Sequence, residues 1–250
     1  MIVLVTGATA GFGAAIARLF VREGHRVVAT GRRAERLDEL REALGDSLHP
    51  MAFDLRDRAA IEAIPEQLPE DFAAIDVLVN NAGLALGLEP AHRTDIDDWD
   101  TMIDTNVKAL ARITRVLLPG MVERNRGHVV NIGSTAGEFP YPGGNVYGAT
   151  KAFVYQFSLN LRADLLGTPV RVTNIEPGLC GGTEFSNVRF HGDDAKAEKI
   201  YEGTEPLTAE DVAETVYWVA TRPPHVNINS IQLMPVCQAF GPLAVQRSNG

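Results

Sequence analysis

Ile2-Val3-Leu4-Val5-Thr6-Gly7-Ala8-Thr9-Ala10-Gly11-Phe12-Gly13 is the stretch on which the fold turns. Ile2 to Val5 is a continuous apolar run, the pattern of a strand covered on both faces. Ala14 to Phe20 follow the last glycine directly and have helical character. The glycines let the backbone turn sharply and come close to a pyrophosphate. The new helix points its N-terminal amides and the positive end of its dipole at the same place. The spacing is G-x-x-x-G-x-G rather than the commoner G-x-G-x-x-G. A glycine-rich turn alone says only that a strand meets a helix; between a first strand and a first helix it favours a phosphate site.

The rest of the chain repeats the rhythm. His25–Thr30, Leu48–Phe53, Ile75–Val79, Val129–Ile132, Val170–Ile175 and Ser230–Met234 read as strands. Helical segments fall between them at 34–44, from about Asp57, over Asp97–Asp104, from about Asn106 to Arg124, and over Ala209–Thr221. Such alternation predicts an α/β fold, one Rossmann-type doubly wound parallel sheet with helices on both faces, in a single domain over 1–250. Ligands of these sheets bind beyond the carboxyl ends of the strands. Gly31-Arg32-Arg33 ends the second strand, with no acid before Glu35. An acid there would hold a ribose 2′-hydroxyl, whereas arginine accommodates a 2′-phosphate, so NADP is expected. Asp54 follows the third strand; it either accepts from an adenine amino group or caps the helix near Asp57. Asn80-Asn81-Ala82-Gly83 follows the fourth strand, small and amide residues suited to the crevice.

At 250 residues, 45% hydrophobic and 22% charged, the chain has the balance of a protein with one large core. A net charge of −9 argues against nucleic acid or an anionic membrane as main partner. Two cysteines, Cys180 and Cys237, are too few for a disulfide framework and suit a reducing cytoplasm. The apolar start is short and lacks a charged leader, so a strand is expected rather than a signal peptide. No apolar run approaches membrane-spanning length. The six histidines show no metal-ligand spacing, and no metal is expected.

The chemistry concentrates in the second half. Tyr147 and Lys151 lie four apart, on one face of a helix. A phenol is a poor base near neutrality, and a nearby ammonium moves its pKa toward a working value. Ser134 stands thirteen residues earlier, at the end of a strand, where a loop rich in proline and glycine (140–144) folds back toward Tyr147. Ile132 stands where a G-x-S-x-G elbow needs glycine, and Ala149 where a P-loop needs lysine. Asp97-Asp98 diverge on a helix and make a solvated face, not an acid/base pair. Asn106 sits inside a helical stretch, at a cost in stability unless its amide is used.

Thr6-Gly7 through Gly13, Asn80-Asn81-Ala82-Gly83, Asn106, Ser134, Tyr147 with Lys151, and Pro177-Gly178 together resemble the motif set of the short-chain dehydrogenase/reductase family, in the family's order. More narrowly, Thr30-Gly31-Arg32-Arg33, Asn131 to Gly137 and Glu176 to Phe190 are similar to bacterial NADP-dependent 3-hydroxy acid dehydrogenases, which oxidise serine, L-allo-threonine and simple 3-hydroxy acids. The resemblance implies that Tyr147 is the base and that Lys151 lowers its pKa and bonds the nicotinamide ribose. It implies that Ser134 holds the substrate oxygen and that Asn106 shapes its helix to keep a water in the proton path. Cofactor contacts are implied for Gly7, Ala8, Thr9, Ala10, Gly11, Phe12, Gly13, Arg32, Arg33, Asp54, Leu55, Asn81, Ala82, Gly83, Pro177, Gly178 and Thr183. A homotetramer is also implied.

From about 179 to 203 the pattern lapses into a glycine-rich, charged insertion, read as a substrate lid. It supplies Arg189, which either closes over a substrate carboxylate or pairs with Asp193 or Asp194. Asn187, the amides of Gly181-Gly182, and Gly144 and Asn145 are further donors near that site. The tail, 235–250, has few charges and suggests packing on a neighbour. The rival readings are a reductase of other ketones, aldehydes or sugars, and an NADP-sensing protein without turnover.

Overall fold

The computed structural model describes residues 1–241. In chain order the elements are β1 (Ile2–Thr6), α1 (Gly11–Arg22), β2 (Arg26–Gly31), α2 (Ala34–Leu44), β3 (Leu48–Ala52), α3 (Arg58–Glu62), α4 (Ile64–Gln67) and β4 (Val77–Asn80). Then come α5 (Ile96–Ile103), α6 (Leu110–Glu123), β5 (His128–Ile132), α7 (Asn145–Asp164), β6 (Arg171–Pro177), α8 (Phe185–Arg189), α9 (Asp194–Lys199), α10 (Ala209–Ala220) and β7 (Ser230–Leu233). The strands form one parallel sheet in the order β3-β2-β1-β4-β5-β6-β7. The order reverses between β1 and β4, which opens a crevice at their carboxyl ends.

Alternation along each strand feeds two cores. Val3, Val5, Val27, Ala29, Val77, Val79, Val130 and Ile132 pack with α1, α2 and α10. Their neighbours Leu4, Val28, Leu78 and Val129 face the other way, against Ile113, Leu117, Met121 and Leu161 of α6 and α7. Period-2 side chains buried on both faces explain why these strands read as unbroken apolar runs.

Polar groups cross the second core under the site. Asn80 Nδ2 donates to Asn131 Oδ1 (2.8 Å) on the neighbouring strand and to Thr114 Oγ1 (2.9 Å) on α6. Asn131 Nδ2 donates to Ser158 Oγ (2.8 Å) on α7. All four side chains are buried, and although Asn80 Oδ1 has no partner, the network ties both helices to β4 and β5.

Two features differ from expectation. The segments 97–104 and 106–124 are not separate helices: a π-helical turn over Asp104–Ala109 joins α5 to α6, taking up an extra residue without a break. The tail also packs on its own chain as far as it is described. Leu179 N donates to Gln238 Oε1 (2.7 Å), and the Phe240 ring lies 4.2 Å from that of Phe139. Residues 242–250 of that tail lie outside the described residues.

Candidate active site

The carboxyl ends of the strands surround a cavity of about 1080 Å³. At its floor is the glycine loop. Gly7 and Gly11 take φ values of +68° and +49°, the left-handed region that favours glycine. A Cβ on Gly7 would come within 3.0 Å of Ala82 Cα. Asn81 holds the loop to β4, its Nδ2 donating to Thr6 O (2.9 Å) and Gly7 O (3.2 Å). Thr6 Oγ1 accepts from the amides of Asn81 (3.0 Å) and Ala82 (2.9 Å). α1 begins behind this loop with no side-chain cap and no acid in its first turn, so its amide end is left for an anion. A backbone cradle at an uncapped, unneutralised helix start fits the pyrophosphate of a dinucleotide.

Gly7, Thr9, Ala10, Gly11, Phe12, Arg32, Arg33, Asp54, Leu55, Asn81, Ala82, Gly83, Ser134, Tyr147, Lys151, Pro177, Gly178, Thr183 and Arg189 all line the cavity. Three expected residues do not. Ala8 is buried, with its amide donating to Thr30 O (2.9 Å). Gly13 lies against the Gly7 carbonyl, where a side chain would clash, so it supports the loop from behind. Asn106 lies beneath the wall and is spent on other partners, described below.

The end of the cavity at Arg32 and Arg33 carries more acid than the local sequence suggests. Arg33 donates to Thr9 Oγ1 (2.9 Å) and pairs with Glu184 (2.8 Å), a carboxylate that the insertion brings from far downstream. No acid stands between Gly31 and Glu35 in the chain, but the fold brings one to Arg33. Asp54 grips Arg56 (2.7 Å), whose guanidinium holds its carboxyl below the ordinary value. It does not cap the next helix: Asp57 does, accepting from Ala59 N (2.9 Å) and Ala60 N (3.3 Å).

At the other end stand Ser134, Tyr147 and Lys151. Ser134 lies just beyond the end of β5, and its Oγ accepts from Ala136 N (3.1 Å), which orients the hydroxyl. Tyr147 and Lys151 are buried one turn apart on α7. Burial pushes the Tyr147 phenol up to about 12, against the opposing hydrogen bond from Ser134 and the Arg189 charge. Burial brings Lys151 down to about 8, and its Nζ donates to Ile132 O (2.8 Å), at the end of β5 just before Ser134. The expected direction for the phenol is thus reversed in this structure. Desolvation outweighs every nearby favourable group, and the ammonium faces a backbone carbonyl.

Asn106 occupies the π turn. Its Oδ1 accepts from Leu84 N (2.9 Å), and its Nδ2 donates to Leu84 O (2.8 Å) and Thr150 Oγ1 (3.0 Å). Thr150 in turn donates to Tyr147 O (2.7 Å). The amide thus joins the segment after β4 to the turn of α7 that carries Tyr147 and Lys151.

The insertion folds over the cavity as two short helices. Gly87 N donates to Arg189 O (2.8 Å), His191 meets Asp98 (3.2 Å), and Thr183 packs on Gly11. The alternative partners for Arg189 are taken: Asp193 caps α9 and pairs with Lys196, and Asp194 accepts from Asn187 (2.6 Å). Asn145 Nδ2 donates to Glu89 O (3.2 Å), away from the reacting end. Sequence reading missed Tyr141, Glu184 and Phe185, which also line the cavity. A tyrosine in a proline- and glycine-rich loop was the one available signal.

A glycine-loop cradle at one end and a Ser-Tyr-Lys cluster at the other define a nucleotide-dependent oxidoreductase of the doubly wound class. The chain belongs to the short chain dehydrogenase family, whose model matches residues 1–193. The NADP-dependent 3-hydroxy acid dehydrogenase YdfG of Escherichia coli K12 is 66% identical over 247 residues, 99% of this chain and 100% of that protein. Serine 3-dehydrogenase of Agrobacterium fabrum is 53% identical, over 99% of this chain and 98% of that protein. The closed form of serine dehydrogenase complexed with NADP+ superposes with a TM-score of 0.98 at 66% identity, covering 99% of this chain and all of that one. Among the described residues, no helix is long and apolar enough to cross a membrane.

Proposed function

We propose that this chain is an NADP-dependent dehydrogenase that oxidises small 3-hydroxy acids, of the serine, L-allo-threonine, 3-hydroxypropionate and 3-hydroxyisobutyrate kind, at carbon 3. The observation that carries the reading is the cavity's two ends, a phosphate cradle with Arg32 and Arg33 at one and Ser134, Tyr147 and Lys151 at the other. A sensor without turnover has no use for the second set, and the similarity to 3-hydroxy acid and serine dehydrogenases supports the substrate class. Bound NADP supplies the hydride acceptor.

The substrate hydroxyl at carbon 3 gives its proton to the Tyr147 oxygen as hydride leaves the same carbon. Ser134 donates to that oxygen and holds it against the phenol. Lys151, brought to about 8 by burial, sits in the range where a modest change in surroundings alters its charge, and its ammonium stabilises the Tyr147 phenolate that must be present before the substrate proton is taken. Asn106 holds the turn that carries both. The uncapped start of α1 and the amides around Gly11 and Phe12 would take the pyrophosphate, while Arg32 and Arg33 would take the 2′-phosphate. Asp54 and Leu55 would hold the adenine, Asn81 to Gly83 the ribose, and Pro177, Gly178 and Thr183 the nicotinamide. Residues 179–203 form the lid of a single domain.

Two free thiols suit a cytoplasmic setting. The half-exposed Phe153 and Trp218 suit assembly, taken to be a homotetramer, which light scattering tests.

The deciding assay follows nicotinamide absorbance with NADP and with NAD, against a panel of hydroxy acids, neutral alcohols and sugars. Oxidation confined to NADP and short 3-hydroxy acids is expected; silence with every alcohol and ketone would favour the sensor. Tyr147→Phe keeps the ring's packing and removes the base, so turnover should fall on the order of 10²–10⁴-fold with cofactor affinity nearly intact. Near-normal turnover in that variant refutes the assignment.

A further inference from the structure

The insertion holds a cation with no anion beside it. Arg189 ends α8, and its guanidinium carbon lies 5.2 Å from the Tyr147 ring centroid, 5.4 Å from that of Phe185 and 5.8 Å from that of Tyr141. Its Nη2 donates to Tyr141 Oη (2.6 Å), while its Nε is buried and has no acceptor. No ion pair among the described residues includes Arg189. Its main chain is tied to the segment after β4, where its carbonyl accepts from Gly87 N (2.8 Å). Aromatic faces offset part of the cost of desolvating a guanidinium, but a buried donor left unpaired costs more than one never buried.

We propose that Arg189 and Tyr141 form the recognition site for the carboxylate of the substrate, an inference that rests on the proposed function and specifies how it selects acids. The hydrogen bonds set the roles. Tyr141 accepts from Arg189, which leaves its own O–H free to donate, so a fork and a hydroxyl converge on one anion. Position sets the size of the substrate. Arg189 lies over the ring whose hydroxyl takes the carbinol proton, so an anion held there would belong to a short substrate whose carbinol meets Tyr147. A carboxyl one methylene away from the carbinol satisfies both ends, and longer acids overshoot. A neutral chain of the same length leaves Arg189 Nε unpaired, and that penalty is what discriminates.

The experiment compares 3-hydroxypropionate with its neutral amide on the NADP-loaded enzyme, and measures propionate binding by calorimetry. Arg189→Met should lower the acid-to-amide ratio of kcat/KM on the order of 100-fold and weaken propionate by a similar factor. Tyr141→Phe should lower the same ratio about tenfold, and Arg189→Lys should recover part of the loss, because charge returns without the fork. Should Arg189→Met fail to fold, Tyr141→Phe and Arg189→Lys carry the test alone. Equal losses for acid and amide, with propionate binding unchanged, would overturn the proposal and leave Arg189 as a support of the insertion. A wild-type enzyme that oxidised neither compound yet bound propionate through Arg189 would instead count against the proposed function alone.

Discussion

Replacing Asn106 with alanine removes three hydrogen bonds at once, to Leu84 N, Leu84 O and Thr150 Oγ1. Each contributes about 1 kcal/mol net, and the Leu84 amide and carbonyl are left without these partners in partly buried surroundings, so a loss of about 3–4 kcal/mol is expected. For a chain of this size that lowers Tm by roughly 10 °C. Activity should fall as well, because Thr150 relays the contact to the Tyr147 carbonyl and so positions the turn with both reacting side chains. Misplacement by a fraction of an ångström there is expected to lower kcat on the order of tenfold or more. Asn106→Asp separates charge pattern from shape. Its first oxygen still accepts from Leu84 N, but the second meets the Leu84 carbonyl, now acceptor against acceptor, where the amide stood at 2.8 Å. Urea titration and steady-state kinetics measure both effects. An alanine variant within 1 kcal/mol of wild type, with kcat unchanged, would refute the role assigned to this network.

Three other perturbations address cofactor choice and acid stability. Arg32→Ala with Arg33→Ala should weaken NADP on the order of 10–100-fold while NAD changes little, since each guanidinium contributes a charge-assisted contact in a half-exposed site. Glu184→Gln should strengthen NADP a few-fold, because the Arg33–Glu184 pair competes with the phosphate; fluorescence titration with both cofactors measures this, and weaker NADP would show a strap rather than a competitor. His128 is buried on β5 with Nε2 against Thr173 Oγ1 (2.8 Å), and desolvation brings it down to about 3, with Arg171 adding to the effect. Its folded pKa lies below the unfolded value, so its stabilising effect is whole above about pH 6.5 and is lost as pH falls toward 3. At pH 5 that loss is about 2 kcal/mol, from 1.4 kcal/mol per unit. His128→Gln should remove that share of the pH dependence in urea titrations at pH 7 and 5; an unchanged slope would mean His128 is accessible.

The seven strands, the glycine loop and the Tyr147–Lys151 pair were legible because each is a local pattern. An unbroken apolar run, a helix start behind glycines, or two residues four apart is determined by neighbours in the chain. The same holds for Arg32 and Arg33, one step past a strand end. The join of α5 to α6 was not legible, because Asn106 earns its place in the π turn from Leu84 and Thr150, on other elements.

What the tertiary structure alone decided is the electrostatics of the site. Tyr147 rises rather than falls because its burial outweighs its neighbours, and burial is a property of the closed fold. Glu184 reaches Arg33, and Arg189 reaches Tyr141, only because the insertion turns back over the strand ends. Residue types and their spacing determine which elements form and which chemistry they carry. Whether a charge is paired, and whether water reaches it, depends on what the rest of the chain lays against it, because Coulomb energy and desolvation act through space and not along the sequence.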